Sequence, residues 1–160
     1  DLDARHGEDR RDESHLIPLV LQTALGRRDK VRIFGGDWET RDGTCVRDYV
    51  HTEDLAQAHR QVVEAMTPGH GRAYNLGSGN GVTVLEVLRA CEEVSGRPIP
   101  YEVVDRRPGD PAVLIASADR IKRELGWKPR YEDTRTIVES AWRWHRSHPD
   151  GYATTPGAPA

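Results

Sequence analysis

Residues 83–96, TVLEVLRACEEVSG, carry signals for both ends of one helix. Thr83 and Glu86 have the Thr-x-x-Glu spacing of a capping box, in which each side chain satisfies a backbone donor at the helix start. Gly96 is a natural stop, and Pro98 follows just beyond it. The next segment, IPYEVVD at 99–105, alternates like a strand. Helices and short strands alternate along most of the chain, with helices the more numerous, and this selects an α/β architecture.

The rest of the chain fits the same pattern. Residues 1–14, DLDARHGEDRRDES, are charged, lack an apolar period and read as an exposed loop. Ser14 is placed to cap a largely buried helix running to about Leu25, with Pro18 near its first turn and Gly26 as its stop. Val31–Phe34 reads as a strand, and 52–66 as an amphipathic helix with Leu55, Ala58, Val62 and Met66 on one face. RAYNL, 72–76, reads as another strand. Ser117 and Asp133 look like caps of two further helices, the first ending at Gly126 and the second stopping before Pro149. The small, Pro-rich tail 153–160 is expected to be disordered, and no internal repeat is visible.

Composition narrows the function. The 160 residues suffice for one domain, at 36% hydrophobic and 31% charged. A net charge of −3 argues against a general nucleic-acid binder. It leaves room for a small anion held by local arginines, such as Arg106-Arg107. Cys45 and Cys91 lack metal-ligand spacing, and a reducing cytosol fits them. No apolar run approaches the ~20 residues of a membrane span. No signal peptide is visible, and the chain starts at Asp1 rather than Met, as an engineered piece, a processed product or a fragment would.

Individual motifs are weak when read singly. The loop in YNLGSGNGVT, 74–83, lies between a strand and a helix, but the dinucleotide fingerprint would need Gly where Val82 stands. It reads as a turn rather than a phosphate cradle. His145 and His148 lie three residues apart near a helix end, without other ligands at zinc spacing. His51 precedes a helix and reads as structural. In RRPGD, 106–110, a guanidinium could fork onto a diphosphate, and a carboxylate three residues on could take two ribose hydroxyls.

Together the segments are more specific. SHLIPLVLQTALGRRD, DGTCVRDYVHTEDLAQAH, AYNLGSGNGVTVLEV, RRPGD and HPDGY occur in that order. Over about residues 7–152 the chain resembles the C-terminal half of UDP-glucose 4-epimerases, in the extended short-chain dehydrogenase/reductase superfamily. The resemblance implies that the 32–47 stretch lies over the nucleotide of a UDP-sugar. Backbone around Arg32, Ile33 and Phe34 would read the uracil, and Arg47 and Arg107 would clamp the diphosphate. Asp110 would accept the ribose hydroxyls, His15 and Leu16 would contact substrate, and Leu114 would line the sugar pocket. Residues 48–77 resemble pieces that complete a Rossmann layer.

The departures from that family are also visible. Its reaction passes a hydride to a tightly held NAD and back, using a Gly-rich cradle and a Tyr-x-x-x-Lys pair. Tyr49, Tyr74, Tyr101, Tyr131 and Tyr152 are followed four residues on by Glu53, Ser78, Asp105, Arg135 and Pro156. The expectation is therefore a cytoplasmic epimerase fragment that binds UDP-glucose or UDP-galactose. It would carry neither catalytic residues nor the NAD site, be inactive alone, and lack most of the family's homodimer interface. The alternatives are a non-catalytic sugar-nucleotide module and a fragment of a related UDP-sugar epimerase.

Overall fold

The helix at Leu16–Ala24 (α1) is mostly apolar and can be stable only when surrounded. In the computed structural model, which describes residues 1–152, Val20 and Leu21 of α1 are wholly inaccessible to solvent. The helices Val84–Ser95 (α3) and Thr134–Ser147 (α5) enclose α1, and the strand Val31–Phe34 (β1) supports it. Val31, Ile33, Val87, Leu88, Cys91, Ile99, Val138 and Trp142 complete this core. At roughly 25 cal/mol per Å² of apolar area, it is the main stabilising mass of the molecule.

The caps explain where these helices begin. Thr83 Oγ1 accepts from the Glu86 amide at 3.1 Å, and Glu86 Oε2 accepts from the Thr83 amide at 2.8 Å, as the spacing predicts. Gly96 closes α3 at φ 67°, a conformation that is cheap only for glycine. Asp133 caps α5 by accepting from the Thr136 amide. Ser14 does not cap α1; the cap position is His15, without a side-chain bond. The Glu13 carboxylate instead accepts the amides of Ser14 and His15, both at 2.7 Å. Ser117 also sits one residue before the true cap, Ala118, of the helix Asp119–Leu125 (α4).

Two small sheets lie beside the helices. In one, β1 pairs in parallel with Tyr101–Val104 (β4). In the other, Val46–Asp48 (β2) is central, antiparallel to Gly81–Thr83 (β3) and parallel to Val113–Leu114 (β5). These three strands are two or three residues long, too short to show a period of two, so the sequence reading missed them. Strands thus equal helices in number among the described residues.

Segment 72–76 corrects the sequence reading the other way. Tyr74 and Leu76 do alternate inward, onto a second cluster of Ala58, Ala118, Ile121 and Trp127. Yet among the described residues no strand pairs with this segment, and alternation without a ladder is not a strand. The helix at 52–66 is shorter than expected, Thr52–Glu64 (α2), which leaves Met66 exposed. Tail residues 153–160, expected to be disordered, lie outside the described residues. Among the described residues no helix is long and apolar enough to cross a membrane.

Two buried polar residues fix α2. The Asp54 carboxylate accepts from the amides of Arg130 (2.8 Å) and Tyr131 (3.0 Å), so a charge near the start of α2 holds the loop before α5. His51 is the cap of α2; its Nδ1 accepts from the Glu53 amide at 3.1 Å. With Nδ1 accepting, Nε2 carries the proton and donates to Ser140 Oγ at 2.9 Å. His51 is therefore structural, as the sequence suggested.

Burial holds the imidazoles of both His51 and His145 below the ordinary 6.5. The unfolded chain then takes up protons below about pH 6.5 that the folded chain refuses, so stability is full above that pH and lost below it. Urea denaturation should show a falling midpoint from pH 7.5 to 5.5, at most about 1.4 kcal/mol per pH unit per histidine. His51→Asn keeps an acceptor for the cap and should flatten part of that fall; an unchanged slope would reject the assignment.

Candidate functional site

Strand β1 uses only one edge for its sheet. The Val31 amide donates to Pro100 O at 2.9 Å and the Gly35 amide to Val104 O at 2.8 Å. Backbone amides alternate sides along a strand, so those of Arg32 and Phe34 point away from β4. That second edge borders a cleft of about 180 Å³. Leu16, Arg32, Ile33, Phe34, Arg47, Arg107 and Asp110 all line it. Seven sequence-predicted residues, spread over about ninety positions, thus share one depression.

The charged groups converge around Asp110. Arg107 Nε donates to Asp110 Oδ2 at 3.2 Å, and Arg47 Nη2 lies 3.8 Å from Asp110 Oδ1. Arg47 Nη1 also donates to Val46 O (2.8 Å) and Pro111 O (2.9 Å), which fixes its long side chain. The Arg107 guanidinium lies 4.3 Å from the Phe34 ring centre, and that of Arg32 lies 5.6 Å from it. Arg32 also pairs with Glu102 at 3.7 Å, but three guanidiniums and one carboxylate line the cleft, which makes it locally positive in a chain of net charge −3. Such a place suits a planar ring joined to an anion.

Arg106 does something different from its neighbour. It donates to Asp37 Oδ1 at 2.7 Å and to Asp37 O at 2.6 Å, and it lies 4.0 Å from the Trp38 ring centre. The hydrogen bond from Arg106 holds the Asp37 carboxyl below its usual range. Trp38 Nε1 in turn donates to Phe34 O at 3.2 Å. Arg106 latches the 35–43 loop to the end of β4, and Trp38 ties it to β1, while Arg107 faces the cleft.

Two predicted residues lie outside the cleft. The His15 ring is held by Glu8 (2.6 Å) and approached by Arg10 (3.3 Å), and it borders a separate, mainly apolar cavity of about 420 Å³. Leu114 is exposed on β5, directly beside Arg47 in the parallel register. Tyr49 went unassigned in the sequence reading, yet it lines both cavities. Its spacing of two from Arg47 was the available signal. Burial pushes its phenol up to about 12, so it stays neutral. His145 and His148 form no joint site; His148 stacks on Trp144 at 3.8 Å.

The Gly-rich loop after residue 76 does not fit a dinucleotide. Its amides face a carboxylate of the chain itself: Ser78 and Gly79 both donate to Asp48. The start of α3 is likewise filled by Thr83 and the Glu86 carboxylate, which Arg41 holds down to about 2. A pyrophosphate would meet two resident negative charges here.

A model of the GDP-mannose 4,6 dehydratase family matches residues 4–140. The chain belongs to this family. It is 52% identical, over 96% of its length, to 46% of the UDP-glucose 4-epimerase of Halalkalibacterium halodurans. A solved UDP-glucose 4-epimerase superposes with a TM-score of 0.90 at 51% identity, over 96% of this chain and 47% of that one. The UDP-glucose 4-epimerase of Bifidobacterium longum, in complex with NAD+ and UDP, gives 0.89 at 38% identity, over 95% and 45%. The chain spans less than half the length of these relatives and matches their C-terminal part, with the fold of the extended short-chain dehydrogenase/reductases.

The two adjacent arginines give a direct check. Arg106→Ala should speed hydrogen exchange at the Trp38 amide, which donates to Gly43 O at 3.0 Å, on the order of tenfold. Arg107→Ala should leave that amide unchanged. Equal effects would refute the division of labour.

Proposed function

We propose that this chain is the UDP-sugar-binding part of an NAD-dependent UDP-glucose 4-epimerase, working in the cytoplasm. The convergence of Arg47, Arg107 and Asp110 beside Phe34 and the free edge of β1 carries this reading. Uracil would lie along β1, reading the backbone at Arg32, Ile33 and Phe34. The diphosphate would take the Arg47 and Arg107 guanidiniums, and Asp110 would turn from them to the ribose hydroxyls. Leu16 would close the floor, and His15, which borders the neighbouring cavity, would have to turn from Glu8 to contact substrate. Leu114, beside Arg47, would meet the hexose. The complex of the Bifidobacterium longum relative with NAD+ and UDP supports the ligand class.

NAD would be held by sequence that the longer relatives have and this chain does not span, so the chain alone would not epimerise. Residues 48–77 would complete the cofactor-binding layer in the whole protein, and most of the homodimer contact would lie outside this chain. Segment 72–76 supports this: its burial alternates like a strand's, yet it is unpaired among the described residues. Val63 (66% exposed) and Met66 (65% exposed) stand close by in sequence, at the end of α2.

Calorimetric titration with UDP and UDP-glucose tests the cleft. Both should bind, and Arg47→Ala should weaken UDP at least about tenfold, the loss of a charge-assisted contact. A folded chain that binds neither ligand would reject the cleft as a self-sufficient site. Leu114→Tyr, placed in a full-length relative, should lower activity on the N-acetylated sugar relative to UDP-glucose; an unchanged ratio would remove Leu114 from the sugar pocket.

A further inference from the structure

The Asp48 side chain joins three pieces at the end of the second sheet: β2 itself, the Gly-rich loop and the segment after β5. It closes β2 and sits opposite Gly81 of β3. Its two oxygens divide their partners. Oδ1 accepts from the Ser78 amide (3.1 Å) and the Ser78 hydroxyl (2.6 Å). Oδ2 accepts from the Gly79 amide (3.4 Å) and from the Ala116 amide (3.3 Å). Ala116 lies two residues beyond the end of β5.

Packing around the carboxylate leaves no slack. A Cβ on Gly77 would lie 2.4 Å from Asp48 Oδ2 and 2.7 Å from Ala116 O. A Cβ on Gly81 would lie 2.5 Å from the Val46 side chain and 2.6 Å from that of Ile115. Both glycines let the 77–81 segment and residues 113–116 close directly onto β2. Strand β5 needs this hold, because it pairs with β2 through only Val113 and Leu114. At its other end Arg47 takes the carbonyl of Pro111. Besides the backbone bond from the Val46 amide to Ala112 O, two side chains thus tie segment 110–116 to β2: Arg47 before the strand and Asp48 after it.

We propose that Asp48 is a positioning residue for the hexose end of the ligand: its Oδ2 holds the 114–116 backbone and so sets Leu114 beside Arg47. This rests on the UDP-sugar reading above. Asp48 touches no ligand group in this arrangement. Arg47, Arg107 and Asp110 have their own tethers, so the nucleotide end depends on Asp48 far less than the hexose end does.

The division of partners gives an atom-specific test. In Asp48→Asn, the remaining carbonyl oxygen can serve Ser78, while the new NH₂ faces the Gly79 and Ala116 donors and cannot accept from them. Hydrogen exchange of this chain should accelerate on the order of tenfold at Ala116 and Leu114, with Ser78 and the α3 core unchanged. In calorimetry, UDP affinity should stay within about threefold, while the extra affinity of UDP-glucose or UDP-galactose over UDP is lost. Ser78→Ala, which leaves the Oδ2 side intact, should change neither readout. If Asp48→Asn does not fold, Gly77→Ala, which pushes Oδ2 and Ala116 apart, should produce the same two losses.

Unchanged exchange at Ala116 would overturn the proposal, whatever binds. Faster exchange with an unchanged ratio of hexose nucleotide to UDP would also overturn it, because the hold would then be merely structural. If the unsubstituted chain binds no uridine nucleotide, the cleft is not a self-sufficient site and the hexose role of Asp48 is overturned for this chain, while the exchange data still decide whether Asp48 holds 114–116.

Discussion

Strand β2 is three residues long, and both of its edges are paired. On one side it meets β3, thirty-five residues on; on the other it meets β5, farther still. No local signal could hold so short a strand, and without it the charged residues would not meet. Pairing sets Arg47 beside Leu114 and within reach of Pro111 and Asp110. Side-chain alternation then points Arg47 and Tyr49 to one face and Asp48 to the other. One face serves the cleft, while the other fastens the Gly-rich loop.

The cleft is electrostatically economical. An acidic chain gathers three guanidiniums at one place and spaces them with Asp110. Arg106 and Arg107 follow the end of β4 and take different partners: Arg106 latches a loop through Asp37 while Arg107 covers Phe34. The latch also bears on the nucleotide side, because Trp38 bonds the carbonyl of Phe34. In the Gly-rich loop the same physics favours the chain's own carboxylate: amides that could hold a phosphate hold Asp48 instead.

Helix ends were the most readable part of the sequence. The Thr83–Glu86 box, Gly96, Gly126 and Asp133 act within four residues of themselves, so pattern and structure agree. Ser14 failed by one position: α1 starts at Leu16 with His15 at the cap, and the Glu13 carboxylate holds the amides of Ser14 and His15 just before it. Segment 72–76 failed for a different reason. It has the alternation of a strand, but a ladder needs a second strand, and the described residues supply none there.

Residue identity by itself determined the capping box and glycine stop of α3, the Asp133 cap of α5 and the apolar character of α1, which follow from local backbone chemistry. The order of motifs along the chain carried the resemblance that singled out Arg32, Phe34, Arg47, Arg107 and Asp110 as expected nucleotide contacts. Tertiary structure decided which of those groups share a cleft. It set Tyr49 between two cavities, left His15 and Leu114 at the margins, and gave Asp48 rather than a cofactor to the Gly-rich loop. Those outcomes rest on pairings across thirty or more residues, where the energy comes from packing and hydrogen bonds between segments that no short window of sequence contains.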